Sequence, residues 1–227
     1  MRRVLIVTVM AAALCFGATM ALAQSQPNAA IALHTTTHLI KGDPGCAGAP
    51  DFECSQYNKT WPVGASANLY LNVVRGNAPG IGGLSCGIEY DQALASGVDV
   101  YAWTLCATGL EFVNDGGNGD WPNSLGGNRM TWNSATDCQL TEYGTDGIHA
   151  TAGFFYVYAY SPDVFQITPN NNLSSGPELQ VVDCLNATSD VNPLLAGSMG
   201  FGVDGLNPCT DVTPVSPATW GQIKNQY

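Results

Sequence analysis

Three histidines occur in the 227-residue chain, and two of them, His34 and His38, stand four residues apart in "IALHTTTHLI" (31–40). On a helix that spacing puts two imidazoles on one face about a turn apart, where they can grip one metal ion. Here three threonines fill the gap, and β-branched side chains favour strand over helix. On a strand rising about 3.3 Å per residue the two rings still share a face, but their Cα atoms stand roughly 13 Å apart. That is too far to hold one ion. No glutamate follows His34, so the H-E-x-x-H pattern of zinc hydrolases is absent. The pair reads as a polar strand face, and only its convergence with His149 would argue for a metal centre.

Other chemistry is weaker still. The run "GLSCG" (83–87) fits the letters of the G-x-S-x-G elbow, but it sits in a strand-like run and not at the strand-to-helix turn that exposes such a nucleophile. Glu89, Asp91, Glu111, Asp120 and Glu142 are candidates for the paired carboxylates of a glycoside hydrolase, yet nothing in their spacing singles out two. The loop "NDGGNGDWPNSLGGN" (114–128) offers more. Asn114, Asp115, Asn118 and Asp120 supply oxygen ligands for a calcium ion, although not at EF-hand spacing. The competing reading is a solvated turn rich in glycine and asparagine. Trp121 at the loop centre, with Trp61, is the candidate aromatic platform for a sugar face, flanked by Asn118 and Asp120. Trp103 and Trp132 lie in strand-like runs and read as core.

The compartment follows from the N-terminus and the cysteines. Arg2 and Arg3, the apolar run "VLIVTVMAAALCFGATM" and Ala21-Leu22-Ala23 form a secretory signal over 1–23, with the mature chain starting near Gln24. Cys15 falls inside that signal, leaving Cys46, Cys54, Cys86, Cys106, Cys138, Cys184 and Cys209. In an exported chain these are disulfide formers, and an odd number leaves one thiol over. Pairing neighbours in sequence predicts Cys46–Cys54, Cys106–Cys138 and Cys184–Cys209. Cys86, between apolar positions in "GLSCGIEY", is then the free buried thiol. No C-x2-C pair exists for a zinc site.

Charge removes further classes. Without Arg2 and Arg3, five basic side chains face 18 acidic ones, a net charge of about −13. Such a surface argues against nucleic acid and anionic membranes and suits neutral glycans, calcium or basic partners. No second apolar stretch approaches the length of a membrane span.

The elements that must position these residues are strands. Helical periodicity is almost absent, and short runs rich in Val, Ile, Thr, Tyr and Phe recur between Gly, Pro, Asn and Asp clusters. Strands are predicted near 30–39, 67–75, 83–90, 98–106, 128–133, 149–160, 163–168 and 178–183. In "HATAGFFYVYAYS", Phe154, Tyr156, Tyr158 and Tyr160 lie on one face, with Phe155, Val157 and Ala159 on the other. Strands at this density without crossover helices make an all-β antiparallel sandwich or jelly roll with disulfide-stapled loops. The domain is expected over 24–213, followed by a Pro-punctuated tail, 214–227.

The runs "GIGGLSCGIEYD" (80–91), "GVDVYAW" (97–103) and "DGIHATAGFFYVYAYS" (146–161) resemble the cohesin-like and carbohydrate-binding-module-like β-sandwiches of secreted bacterial proteins. The resemblance covers about 80–168 and rests on packing motifs. It implies an exported sandwich, and no residue set here carries over the dockerin recognition of cohesins. The tail "TWGQIKNQY" resembles a terminal tag on some exported bacterial proteins. The bacterial source that the resemblance implies makes the sequons at Asn58, Asn172 and Asn186 idle.

The function expected from these readings is a non-catalytic extracellular module of surface or matrix recognition or assembly, with glycan or protein partners. A secreted glycan-active hydrolase and a self-assembling structural subunit are the alternatives. No cofactor is expected beyond the calcium loop.

Overall fold

Alternation decides the two longest strands. In β3 (Ser66–Gly76) Leu69, Leu71 and Val73 face inward, and in β8 (Ile148–Ala159) Phe155, Val157 and Ala159 do the same, all fully buried. The computed structural model describes residues 24–38, 45–113, 120–171 and 173–212. The predicted signal sequence 1–23, the tail 214–227 and Asn114, Asp115, Asn118 and Asn172 lie outside them. Among the described residues no helix is long and apolar enough to cross a membrane.

The strands in chain order are β1 (Ala30–Thr37), β2 (Thr60–Trp61), β3, β4 (Ile81–Glu89), β5 (Val98–Leu105), β6 (Glu111–Val113), β7 (Gly127–Thr131), β8, β9 (Asp163–Thr168), β10 (Gln180–Asp183), β11 (Thr188–Asp190) and β12 (Ser198–Phe201). They form two sheets. The smaller runs β1-β3-β8-β5, and the larger runs β11-β10-β4-β9-β12-β2, with β7 on the other side of β4 and β6 beyond it. Among the described strands only β12 and β2 pair in parallel. Every predicted strand is present, and the all-β antiparallel sandwich is the observed architecture.

The core lies between the sheets. Leu69 and Phe155 from the smaller sheet meet Leu84, Ile88, Phe165 and Phe201 from the larger, all buried. Gly153 shows how tight this is, because a Cβ there would run into the Trp103 ring. Cys86 carries no bridge and is buried in the core, where desolvation pushes its thiol up to about 12 and keeps it inert.

A second, smaller cluster lies outside the smaller sheet. A strap, residues 45–59, crosses its outer face and buries Ala30, Ala32 and Val74 beneath Cys54 and Tyr57. Tyr70 Oη donates to the Gly45 carbonyl at 2.7 Å and pins the strap's start. The bridges are Cys46–Cys106, Cys54–Cys209 and Cys138–Cys184, with Cα separations of 5.5, 5.9 and 5.8 Å. All three predicted pairings, Cys46–Cys54, Cys106–Cys138 and Cys184–Cys209, are corrected. The physical reason is that each strap cysteine staples the strap to another element, one to the end of β5 and one to the C-terminal segment. A Cys46–Cys54 bridge would have tied the strap only to itself.

Candidate recognition surface

The outer face of the smaller sheet is divided. The strap covers one half, and the other half presents tyrosines. Tyr156 and Tyr158 point outward from β8 because their neighbours Phe155, Val157 and Ala159 point into the core. Tyr101 joins them through a bulge in β5, where the register with β8 shifts between Val100 and Ala102. The extra residue turns the Tyr101 ring onto the outer face, as bulges do. Tyr160 follows β8, and its backbone N–H donates to the Gly97 carbonyl at 2.7 Å, closing the strand end against the turn before β5.

The rings form one contiguous surface. Tyr101 and Tyr156 have centroids 5.6 Å apart, Tyr158 and Tyr160 4.7 Å, and His38 lies 4.2 Å from Tyr156. The Tyr101 and Tyr160 hydroxyls share a hydrogen bond at 2.7 Å. His38 Nδ1 donates to Asn68 Oδ1 at 2.9 Å, fixing the far edge of the platform. Tyr101 is 50% and Tyr160 43% exposed, with Tyr156 and Tyr158 half-buried. Hydrogen bonding to Tyr160 holds the Tyr101 phenol well above its ordinary range, so that hydroxyl stays neutral.

Beside Tyr101 the surface dips. A cavity of about 400 Å³ is lined by Tyr90, Gln92, Leu94, Asp99, Tyr101 and Asn123, among others. Gln92 Nε2 donates to the Ser124 carbonyl, and Asp99 Oδ2 accepts from the Ala95 N–H. Rigid aromatic faces with amide and carboxylate groups at their edge match the two sides of a pyranose ring, one of C–H bonds and one of hydroxyls.

The described residues predicted for recognition, Trp61, Asp120 and Trp121, stand elsewhere. Trp121 is only 8% exposed and packs against Trp103 and Phe155 at 5.1 and 5.3 Å, so it closes one end of the core. The glycine-rich loop that suggested exposure folds its tryptophan inward, because so large an apolar surface gains more from the core than from solvent. Trp121→Ala is therefore expected to cost about 3–5 kcal/mol in urea unfolding. Unchanged stability with lost ligand binding would return it to the surface. Trp61 is half-buried against the core and borders a depression with Pro62, Val203 and Asp204. Asp120 is exposed, and its carbonyl accepts from the Asn123 N–H. The structure thus does not join Trp61, Asp120 and Trp121 into one site.

The candidate carboxylates are dispersed. Glu89 accepts from Gln166 Nε2, Asp91 caps Ala93 and Ser96, and Glu111 accepts from both Trp103 Nε1 and Asn128 Nδ2. Glu142 sits exposed at a bridge to Ile148. His34 and His38 do share a face of β1, but His34 packs with Phe52 and Tyr57, while His38 packs with Tyr156. His149 reaches the other side of Tyr57 at 6.1 Å, so the three imidazoles do not meet. Among the described residues no group of three or more His, Cys, Asp or Glu side chains could hold a metal ion.

No family model matches the chain, and no curated protein matches it. Among solved structures, the chain is similar to cohesin modules. A cohesin module from a family 33 glycoside hydrolase of Clostridium perfringens has 11% identity and a TM-score of 0.41, covering 77% of this chain and 97% of that one. A type II cohesin domain from the cellulosome of Acetivibrio cellulolyticus has 10% identity and a TM-score of 0.42, covering 78% and 96%. The sixth cohesin of that organism's scaffoldin B, solved in complex with a dockerin, has 11% identity and a TM-score of 0.39, covering 72% and 93%. At these levels no residue correspondence follows, and the sandwich rests on its own strand pairings.

Proposed function

We propose that the protein is a non-catalytic, exported recognition module that holds neutral glycan chains against the platform of Tyr101, Tyr156, Tyr158 and Tyr160. The platform carries this reading: two exposed tyrosines locked by one hydrogen bond, beside a cavity edged with polar side chains. Three disulfides fit an oxidising compartment. The acidic surface repels polyanions and is compatible with neutral sugars. Separate structural hydrogen bonds on Glu89, Asp91 and Glu111 favour binding over hydrolysis.

Isothermal titration of the disulfide-intact protein with soluble neutral polysaccharides (glucan, mannan, xylan) tests the proposal. Tyr101→Ala combined with Tyr156→Ala should weaken binding by about 2 kcal/mol, roughly 30-fold, with little change in melting. Full binding by the double variant, or no binding by the parent protein, overturns it.

A further inference from the structure

His149 is the least explained polar group in the molecule. It is 6% exposed, and its ring approaches the Asp146 backbone without a hydrogen bond of normal geometry at either nitrogen. A neutral imidazole carries one donor and one acceptor, and leaving both unmade in the interior is costly. Folds keep such groups where something else completes them.

What lies beside it is a cavity of about 280 Å³, near the small end of the range for ligand pockets. His149 lines it with Asp51, Asp137, Gln139, Thr141 and Tyr143, and the Cys46–Cys106 bridge and Trp132 form part of its wall. The site is fixed in place. Tyr143 stacks on the imidazole at 4.8 Å, the His149 backbone N–H donates to the Thr141 carbonyl at 3.1 Å, and the disulfide anchors the strap to β5. Several polar groups retain capacity. Gln139 Nε2 donates to the Asp137 carbonyl, leaving its amide oxygen open, and Thr108 occupies only one oxygen of the Asp137 carboxylate.

The chemistry narrows the ligand. Two carboxylates, Asp51 and Asp137, disfavour an anion, with Asp146 and Glu53 adding negative potential at the imidazole. A metal ion lacks its ligand set, as described above. A compact neutral molecule with several hydroxyls uses a mixture of donors, acceptors and one aromatic edge. We infer that this cavity is a second binding site that takes a single neutral sugar residue, hydrogen-bonded to both nitrogens of His149. The choice of a sugar rests on the glycan reading of the platform; the site itself does not. Tyr156 and His149 are seven residues apart on β8, about 23 Å along the strand, so the two sites are separate.

The test uses the disulfide-intact chain and four probes: glucose, galactose, mannose and N-acetylglucosamine. Imidazole nitrogen signals of His149 are followed by NMR during each titration. At least one probe should shift them saturably. His149→Phe should abolish the sites' saturable shifts at Thr141 and Tyr143, and Asp51→Ala and Thr141→Val, both at exposed positions, should weaken binding about tenfold. The Tyr101→Ala, Tyr156→Ala protein should bind the same sugar unchanged. No shift of His149 with any probe, or parent-like affinity in both Asp51→Ala and Thr141→Val, overturns the inference. Loss of polysaccharide binding in the tyrosine variant alone bears on the platform and leaves this cavity untouched.

Discussion

Replacing both partners of the Cys54–Cys209 bridge with alanine should lower stability by about 4–5 kcal/mol, the largest loss among the three disulfides. The bridge closes 155 residues, against 60 for Cys46–Cys106 and 46 for Cys138–Cys184. Chain entropy makes the longest closure worth about 1 kcal/mol more than the shortest. Burial adds to this. Cys54 is fully buried among Ala30, Ala32, Tyr57 and Val74, and Asn207 Nδ2 donates to the Cys54 and Tyr57 carbonyls beside it. Losing the bridge therefore loosens the cluster under the strap as well as the loop. Urea unfolding of the three paired-alanine proteins measures the order. A Cys138/Cys184 variant as unstable as the Cys54/Cys209 one would refute it.

The pairing behind that prediction is the part of the fold least legible in the sequence. Strands β3 and β8 declare themselves because eleven and twelve residues are long enough to show alternation. The edge strands β6 and β11, with three residues each, and β12, with four, are too short to carry a period. Disulfide pairing has no local signal at all, since it depends on which elements the fold brings within about 6 Å. The strap separates Cys46 from Cys54 by sending one to β5 and the other to the C-terminal segment.

The tyrosine platform is half legible. The alternation of Tyr156, Tyr158 and Tyr160 is in the sequence. Tyr101 is not: strict alternation puts it on the same face as Trp103. The bulge after Val100 separates them, so that Trp103 meets Phe155 in the core and Tyr101 lies outside with Tyr156. Trp121 failed for the opposite reason. A glycine-rich loop reads as exposed, yet the end of the sandwich needed a large ring to close it. The histidine pair came out as the threonines between them required, on one strand face and in two different environments.

Those environments make the strap acid-sensitive. His34 and His149 flank Tyr57, and burial pushes each imidazole down to about 4. Asn58 N–H donates to His34 Nδ1 at 3.2 Å, so protonation there removes a bond that ties the strap to β1. In the unfolded chain both rings titrate near 6.5, and between roughly pH 6.5 and 4 that chain binds two more protons than the folded one. Stability is thus full above about pH 6.5 and falls as the pH drops, by at most about 2.7 kcal/mol per pH unit for the pair. Allowing for partial solvent screening, the loss by pH 4.5 should be about 3–4 kcal/mol. The Lys59-paired Asp211 cannot account for it, because that carboxylate is held below its ordinary value and protonates lower still. Urea midpoints measured from about pH 7 to 4.5 should fall steeply in the parent protein. His34→Gln or His149→Gln alone should remove about half the slope, and both together most of it. A parent-like slope in the double variant would place the acid sensitivity outside the strap.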